Sequence, residues 1–399
     1  MSPRGLSADR LGRLDQIMDG YIERGEIPGI VALVSRGDHT HVHACGTMTV
    51  GGTQPMRRDT IFRIASMTKP IAAAAAMILV EECVLRLDDP LDDVLPELAG
   101  RVVLRSLSAD LDDTVPARRP ITLRDLLTFR LGIGAVMAPP GSTPIGTAMD
   151  EAGLAPGGIP PQLPPDEWLV RLGRLPLAHQ PGEGWMYHTG ADVLGVLIAR
   201  ASGQPLDLFM QERIFEPLGM RDTAFHVPTE KLDRLPGAYT SETNGPGLVV
   251  LDDSVGGYWS TTPQFASGGG GLVATVDDYL AFCRMMLGGG RTGSTRILSR
   301  ASVELMTTDH LTAEQRSANA VLLGGDRGWG LGVSVVTRRT GLAWSVGTFG
   351  WDGGLGTSAY SDPREDLVGI LMTQRAMDSP KMPNVFTDFW TSAYQAVDD

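Results

Sequence analysis

The first periodic stretch lies in residues 1–30, where Leu11, Leu14, Ile17, Met18, Tyr21 and Ile22 recur at helical spacing. They predict an amphipathic helix with Ser7 as its N-cap. The period then falls to two. "GIVALVSRG" and "THVHACGTM" read as two strands joined by a turn at Arg36-Gly37-Asp38. His39, His41 and His43 alternate and so share one strand face. That face is read as solvated, and no metal is expected on it. The next segment, "IFRIASMTKPIAAAAAMILV" (Ile61–Val80), is apolar all round. From Ser66 onward its only charge is Lys69. A helix is expected here, running to "RLDDPLDDVLPEL", where Pro90 and Pro96 stop propagation.

The middle of the chain reads as mostly helical. Thr122 and Asp125 form a capping box opening "LRDLLTFRLG". Residues 137–166 hold eight prolines and five glycines without periodicity. A stretch of this kind is expected to be a lid or binding loop. "PDEWLVRLGRLPL", "ADVLGVLIARASG" and "LDLFMQERIFEPLGM" return to helix. Beyond about residue 240, Gly-rich stretches alternate with strand-like runs: "GGGGLVAT", "GWGLGVSVV", "LAWSVG", "GTSAYSD" and "DLVGILMTQ". Three helices accompany them, "TVDDYLAFCRMML" with a capping box at Thr275 and Asp278, "SRASVELMT", and the closing "FTDFWTSAYQAV". Strands at both ends and helices between predict an α+β fold. One antiparallel sheet would be flanked by the N- and C-terminal helices. The expected domains are 1–88 with 235–399, and a mainly helical insertion over 89–234.

Composition narrows the partners. The chain has 399 residues, 42% hydrophobic, and a net charge of −13. That is ample for a large core, while the acidic surface disfavours nucleic acid and anionic membranes. The longest uncharged apolar run, near residues 70–80, is too short to span a bilayer. Charges interrupt every apolar run of residues 1–30, so no export signal is expected. Cys45, Cys83 and Cys283 are far apart and predict neither a disulfide framework nor a metal-ligand cluster. A cytoplasmic location follows as the expectation.

The candidate chemistry begins with Lys69, one of only three lysines against 31 arginines. Ser66 lies three residues before it, on the same helix face. A serine hydroxyl is a weak nucleophile and needs a base. Burial against Ile64, Ile71 and Ala72 would lower the lysine pKa and free its lone pair. Tyr187, in "PGEGWMYHTGADVLG", lies just before a helix and is the candidate for carrying a proton to a leaving group. No G-x-S-x-G occurs, which excludes a nucleophile elbow of that type. A triad through His188 is formally open, though no serine stands on a matching turn.

With these motifs the chain resembles the class C β-lactamase, D-alanyl-D-alanine peptidase and family VIII carboxylesterase group of serine hydrolases. The likeness extends over nearly the whole length, through "FRIASMTKP", "TLRDLLTFRLGIG", "PGEGWMYHTGADVLGVLIARASGQPL", "SGGGGLVATVDDYLAFCRMML" and "FGWDGGLGTSAYSDPREDLVGILMTQ". It implies the β-lactamase/transpeptidase-like fold, Ser66 as nucleophile, Lys69 as base and Tyr187 in the proton relay. It also implies an oxyanion hole from the backbone N–H groups of Ser66 and Gly354. The group's Tyr-x-Asn motif aligns with Tyr187-His188-Thr189, so Thr189 replaces an asparagine that contacts substrate. Its Lys-Thr-Gly aligns with Trp351-Asp352-Gly353, so Trp351 replaces a lysine that holds a substrate carboxylate. The tryptophan variant also occurs in the family VIII esterases; the lesser alternative for Trp351 is a core aromatic. Asp352 would repel such a carboxylate if it faced the site. The expectation is a serine esterase acting on short-chain carboxylic esters, with acyl transfer to other acceptors as a further capacity and no cofactor. A β-lactamase or D-alanyl-D-alanine peptidase is the alternative. A non-catalytic binding protein of the same fold is the second.

Overall fold

The computed structural model describes residues 5–398 apart from Asn244 and Pro246. Its centre is a seven-stranded sheet of wholly antiparallel pairs. In chain order the strands are β1 (Gly29–Arg36), β2 (His39–Gly46), β3 (Arg327–Trp329), β4 (Ser334–Val336), β5 (Phe349–Gly353), β6 (Thr357–Asp362) and β7 (Leu367–Thr373). Across the sheet they run β3-β4-β5-β6-β7-β1-β2. The N-terminal hairpin therefore docks on the last strand of the C-terminal set, which closes the chain on itself.

Strand alternation splits the core into two layers. Ile30, Ala32 and Val34 of β1 face α1 (Ala8–Glu23) and the C-terminal helix Asn384–Gln395. Val31 and Leu33 point the other way, into the larger core shared with α2 (Thr68–Glu81). In α1 the predicted apolar stripe is buried at Leu11, Leu14, Met18 and Tyr21, while Ile17 is exposed. Residues Thr68 to Leu79 of α2 are all buried, so that helix shows no apolar stripe. It packs against α3 (Thr189–Ser202), the main helix of the middle section, while the helix Val276–Leu287 lies on β7, β6 and β1.

Several local expectations need correction. Helix α2 stops at Glu81, well before Pro90, and Cys83 turns the chain with φ +58°. Residues 137–166 contain a helix, Pro144–Glu151, capped by Thr143. The run "LAWSVG" forms no strand. Trp344 has φ +62° there, and the Ser345 N–H donates to Asp362 Oδ2 instead of to a neighbouring strand. The box at Thr275 is half made: Thr275 accepts from the Asp278 N–H, but the Asp278 carboxylate is turned to Asp222 N and Thr223 Oγ1. Among the described residues no single helix is long and apolar enough to cross a membrane.

Candidate active site

Ser66 lies in a short 3-10 turn, Ala65–Met67, that runs directly into α2. Ala65 before it has φ +44°, a strained value for an alanine. The turn is pinned from two sides. Phe62–Arg63 pair with Val273–Ala274, and Ile64 N–H donates to Leu272 O at 3.0 Å. On the other side Thr357 Oγ1 donates to Ile64 O at 3.2 Å. Gly353 at the end of β5 is needed for this approach, because a Cβ there would lie 2.5 Å from Ile64 O.

Lys69 is 1% exposed, and its Nζ lies 2.9 Å from Ser66 Oγ. Burial lowers its pKa from 10.5 to about 7, and the charge of Asp192 limits the fall. Nζ also donates to Gly269 O and lies 3.2 Å from His188 Nδ1. Its fourth neighbour is the Tyr187 ring, whose centroid is 4.5 Å away. The Tyr187 hydroxyl accepts from Trp351 Nε1, and the nearby Ser66 side chain tempers the rise of its pKa. Burial raises the Tyr187 pKa well above its usual value, so it is a phenol at neutral pH.

Behind Lys69 stands a set of residues of which sequence reasoning had weighed only His188. His188 has φ +80°, a costly conformation for a non-glycine residue. Its Nε2 lies 3.1 Å from Asp192 Oδ2, one turn along in α3. Asp192 Oδ1 in turn accepts from Ser267 Oγ and, at 3.0 Å, from Gly269 N–H. Burial alone would raise the Asp192 carboxyl, but His188, Ser267 and Lys69 bring it below its usual range. Burial and the nearby Lys69 lower His188, which keeps its imidazole neutral. A Cβ at Gly269 would sit 2.7 Å from His188 Nε2, which explains one glycine of "SGGGG". The four-residue spacing of His188 and Asp192 was the available signal for this pair.

The other anticipated residues separate. Trp351 joins an aromatic wall with Phe129, Trp185 and Trp329, its ring 4.8 Å from that of Trp329. Gly354 lines the same cavity as Ser66, Tyr187 and Trp351, a space of about 380 Å³. Thr189 is buried at the start of α3, is absent from the cavity wall, and among the described residues nothing bonds its Oγ1. Asp352 also reaches the cavity, but strand alternation turns its carboxylate away from the Trp351 face. It accepts from Ser358 Oγ at 2.6 Å and Tyr360 OH at 3.0 Å, with Arg327 Nη1 at 3.5 Å. Its carboxylate is thus held by these partners rather than free to face a bound ligand. Part of the 137–166 segment forms one cavity wall, through Met137, Pro156, Gly157, Gly158 and Pro160.

A serine held against a lysine of low pKa at the start of a buried helix is the arrangement the sequence likeness implied. Comparison with known proteins supports the likeness itself. The Beta-lactamase family model matches residues 14–385. The chain belongs to this family. It is 39% identical to Protein Rv1367c of Mycobacterium tuberculosis over 366 residues, covering 89% of this chain and 88% of that one. It is 32% identical to the lovastatin esterase of Penicillium rubens, with 90% and 91% covered. With esterase EstB of Burkholderia gladioli the identity is 31% and both chains are 96% covered. Among solved structures, EstCE1, a hydrolase with promiscuous acyltransferase activity, superposes with a TM-score of 0.79 at 25% identity, covering 97% and 99%. This member of the beta-lactamase family is a serine hydrolase with the β-lactamase/transpeptidase-like fold.

Proposed function

We propose that the protein is an esterase that cleaves short-chain carboxylic esters through an acyl-enzyme on Ser66, and that it can hand the acyl group to an alcohol as well as to water. The observation carrying this reading is the 2.9 Å contact between Ser66 Oγ and a buried Lys69 whose pKa is about 7. A neutral amine has two N–H bonds and one lone pair. Gly269 O takes one hydrogen and His188 Nδ1 takes the other. The lone pair is then left facing the Ser66 hydroxyl. This requires His188 to carry its proton on Nε2, the tautomer that donates to Asp192.

In the reaction so framed, Ser66 Oγ attacks the ester carbonyl and its proton passes to Lys69. The carbonyl oxygen becomes an oxyanion facing the N–H groups of Ser66 and Gly354, and preorganised donors of this kind are usually the largest catalytic contribution. Tyr187 gives its proton to the departing alkoxide and is reprotonated by the Lys69 ammonium, which returns the lysine to its neutral form. Water or an acceptor alcohol then attacks the acyl-enzyme by the reverse sequence.

The substrate class rests on the far wall. Trp351 offers an indole where a substrate carboxylate would need a cation. Arg327, which also lines the cavity, is already engaged by Tyr360 OH at 2.7 Å and Asp352 at 3.5 Å. A neutral acyl group packs on this wall without leaving a charge unpaired. Relatives named as a lovastatin esterase, an esterase and acyltransferases support the same reading. The test compares kcat/KM for p-nitrophenyl butyrate with that for nitrocefin, alongside fluorophosphonate labelling of wild type and Ser66→Ala. Ester preference and labelling confined to wild type are expected. A preference for the β-lactam would overturn the substrate class, and labelling of Ser66→Ala would overturn the nucleophile.

A further inference from the structure

The edge strand β2 carries a second cluster of reactive side chains, none of which lines the Ser66 cavity. In register, His41, His43 and Cys45 stand opposite Val34, Ala32 and Ile30 of β1, the residues that face α1. Cys45 thus continues the alternation of the histidines, a phase the sequence reading did not use. Helix α1 lays two carboxylates over this row, Asp15 and Asp19, one turn apart. His41 Nε2 lies 2.8 Å from Asp15 Oδ1, and His43 Nε2 lies 2.8 Å from Asp19 Oδ1. The other nitrogen of His43, Nδ1, is 3.7 Å from Asp15 Oδ1. Ligand atoms of Asp19, His43 and Cys45 all fall within 4.8 Å of one another, and all three side chains are half-buried.

Surface histidine–aspartate pairs account for His41. They do not account for a thiol placed beside a carboxylate and an imidazole. One oxygen, one nitrogen and one sulfur donor converge, and each can carry or release a proton to suit a cation. Metal bonds of ~2.0–2.3 Å in tetrahedral geometry need donors roughly 3.3–3.8 Å apart. The observed grouping reaches that spacing with side-chain shifts of about 1 Å. Asp15 then fills the position usual for an outer carboxylate. Its Oδ1 stands 3.7 Å from His43 Nδ1, so the same side-chain shifts would let it accept the Nδ1 proton and fix Nε2 as the metal-facing nitrogen.

We propose that Asp19, His43 and Cys45 form a binding site for a thiophilic divalent cation of the zinc class, oriented by Asp15, with a fourth position open to water. The mixed S, N and O set selects zinc or cobalt over magnesium or calcium, which prefer all-oxygen shells. Binding releases the Cys45 thiol proton to solvent and replaces the His43–Asp19 hydrogen bond with two metal bonds. The site clamps α1 onto the sheet edge, at a strand that among the described residues pairs along its length on one side. It revises the expectation that neither the histidine row nor the cysteines hold metal.

The test uses the full chain, stripped with chelator, in a Cys83→Ser background that removes the exposed thiol. Cobalt(II) is titrated and followed by absorption, and zinc is titrated by calorimetry. One cobalt per chain is expected, with a sulfur-to-cobalt band in the near ultraviolet that zinc abolishes. Cys45→Ser should lose that band, and Asp15→Asn should bind roughly 10–100-fold more weakly. Circular dichroism without metal checks that each variant is folded. If Cys45→Ser does not fold, His43→Gln carries the same test. Absence of the band at equimolar cobalt, or a band that survives in Cys45→Ser or His43→Gln, overturns the site.

Discussion

Replacing Lys69 by methionine should stabilise the protein while abolishing its activity, and the gain should depend on pH in a defined way. Moving the ammonium from 10.5 to about 7 corresponds to about 5 kcal/mol against its charged form, at ~1.36 kcal/mol per pH unit. The side chain is 1% exposed, so solvent does not screen this cost. The folded pKa lies below the unfolded value. Between about pH 7 and 10.5 the folded chain therefore binds fewer protons than the unfolded chain, and stability rises with pH across that window. Methionine fills a similar volume and does not titrate. The advantage of Lys69→Met should be full below about pH 7 and shrink by about 2.5 kcal/mol between pH ~7.5 and ~9.5. Urea unfolding followed by tryptophan fluorescence measures both proteins across the range. In parallel, log kcat/KM of wild type should climb with unit slope below about pH 7 and level above it. Parallel stability curves for the two proteins would refute the claim that Lys69 is neutral because it is buried. So would a wild-type rate that is flat from pH 6 upward.

Two further substitutions separate the roles around that lysine. Tyr187→Phe removes the acceptor of the Trp351 indole N–H and should lower kcat on the order of 10²–10⁴-fold with the fold retained. An unchanged kcat across pH 6 to 9 would take Tyr187 out of the relay. Asp192→Asn removes both the anchor of the His188 tautomer and the charge that holds up the Lys69 pKa. The kinetic pKa should therefore move below about 7 and kcat/KM should fall, whereas an unmoved kinetic pKa would mean that Asp192 is only structural.

Some of this molecule was legible along the chain. Ser66 and Lys69 are three residues apart on a predicted helix, so their meeting depends on helical geometry alone. The hairpin β1–β2 followed from its alternation and its Gly turn. The uniformly apolar α2 announced its own burial. Short-range periodicity sets such features, because each involves neighbours within a turn or a strand pair. Tertiary structure decided the rest. The low pKa of Lys69 comes from wrapping by chain segments up to 200 residues away, Gly269 among them. Ser267 and Gly269 reach Asp192 across 75 and 77 residues. The orientation of Asp352 depended on which face of β5 meets the Tyr360 layer. The union of His43 and Cys45 with Asp19 required α1 to dock on β2. Charge, desolvation and hydrogen bonding act through space, and a linear pattern carries no record of which distant segments will share that space.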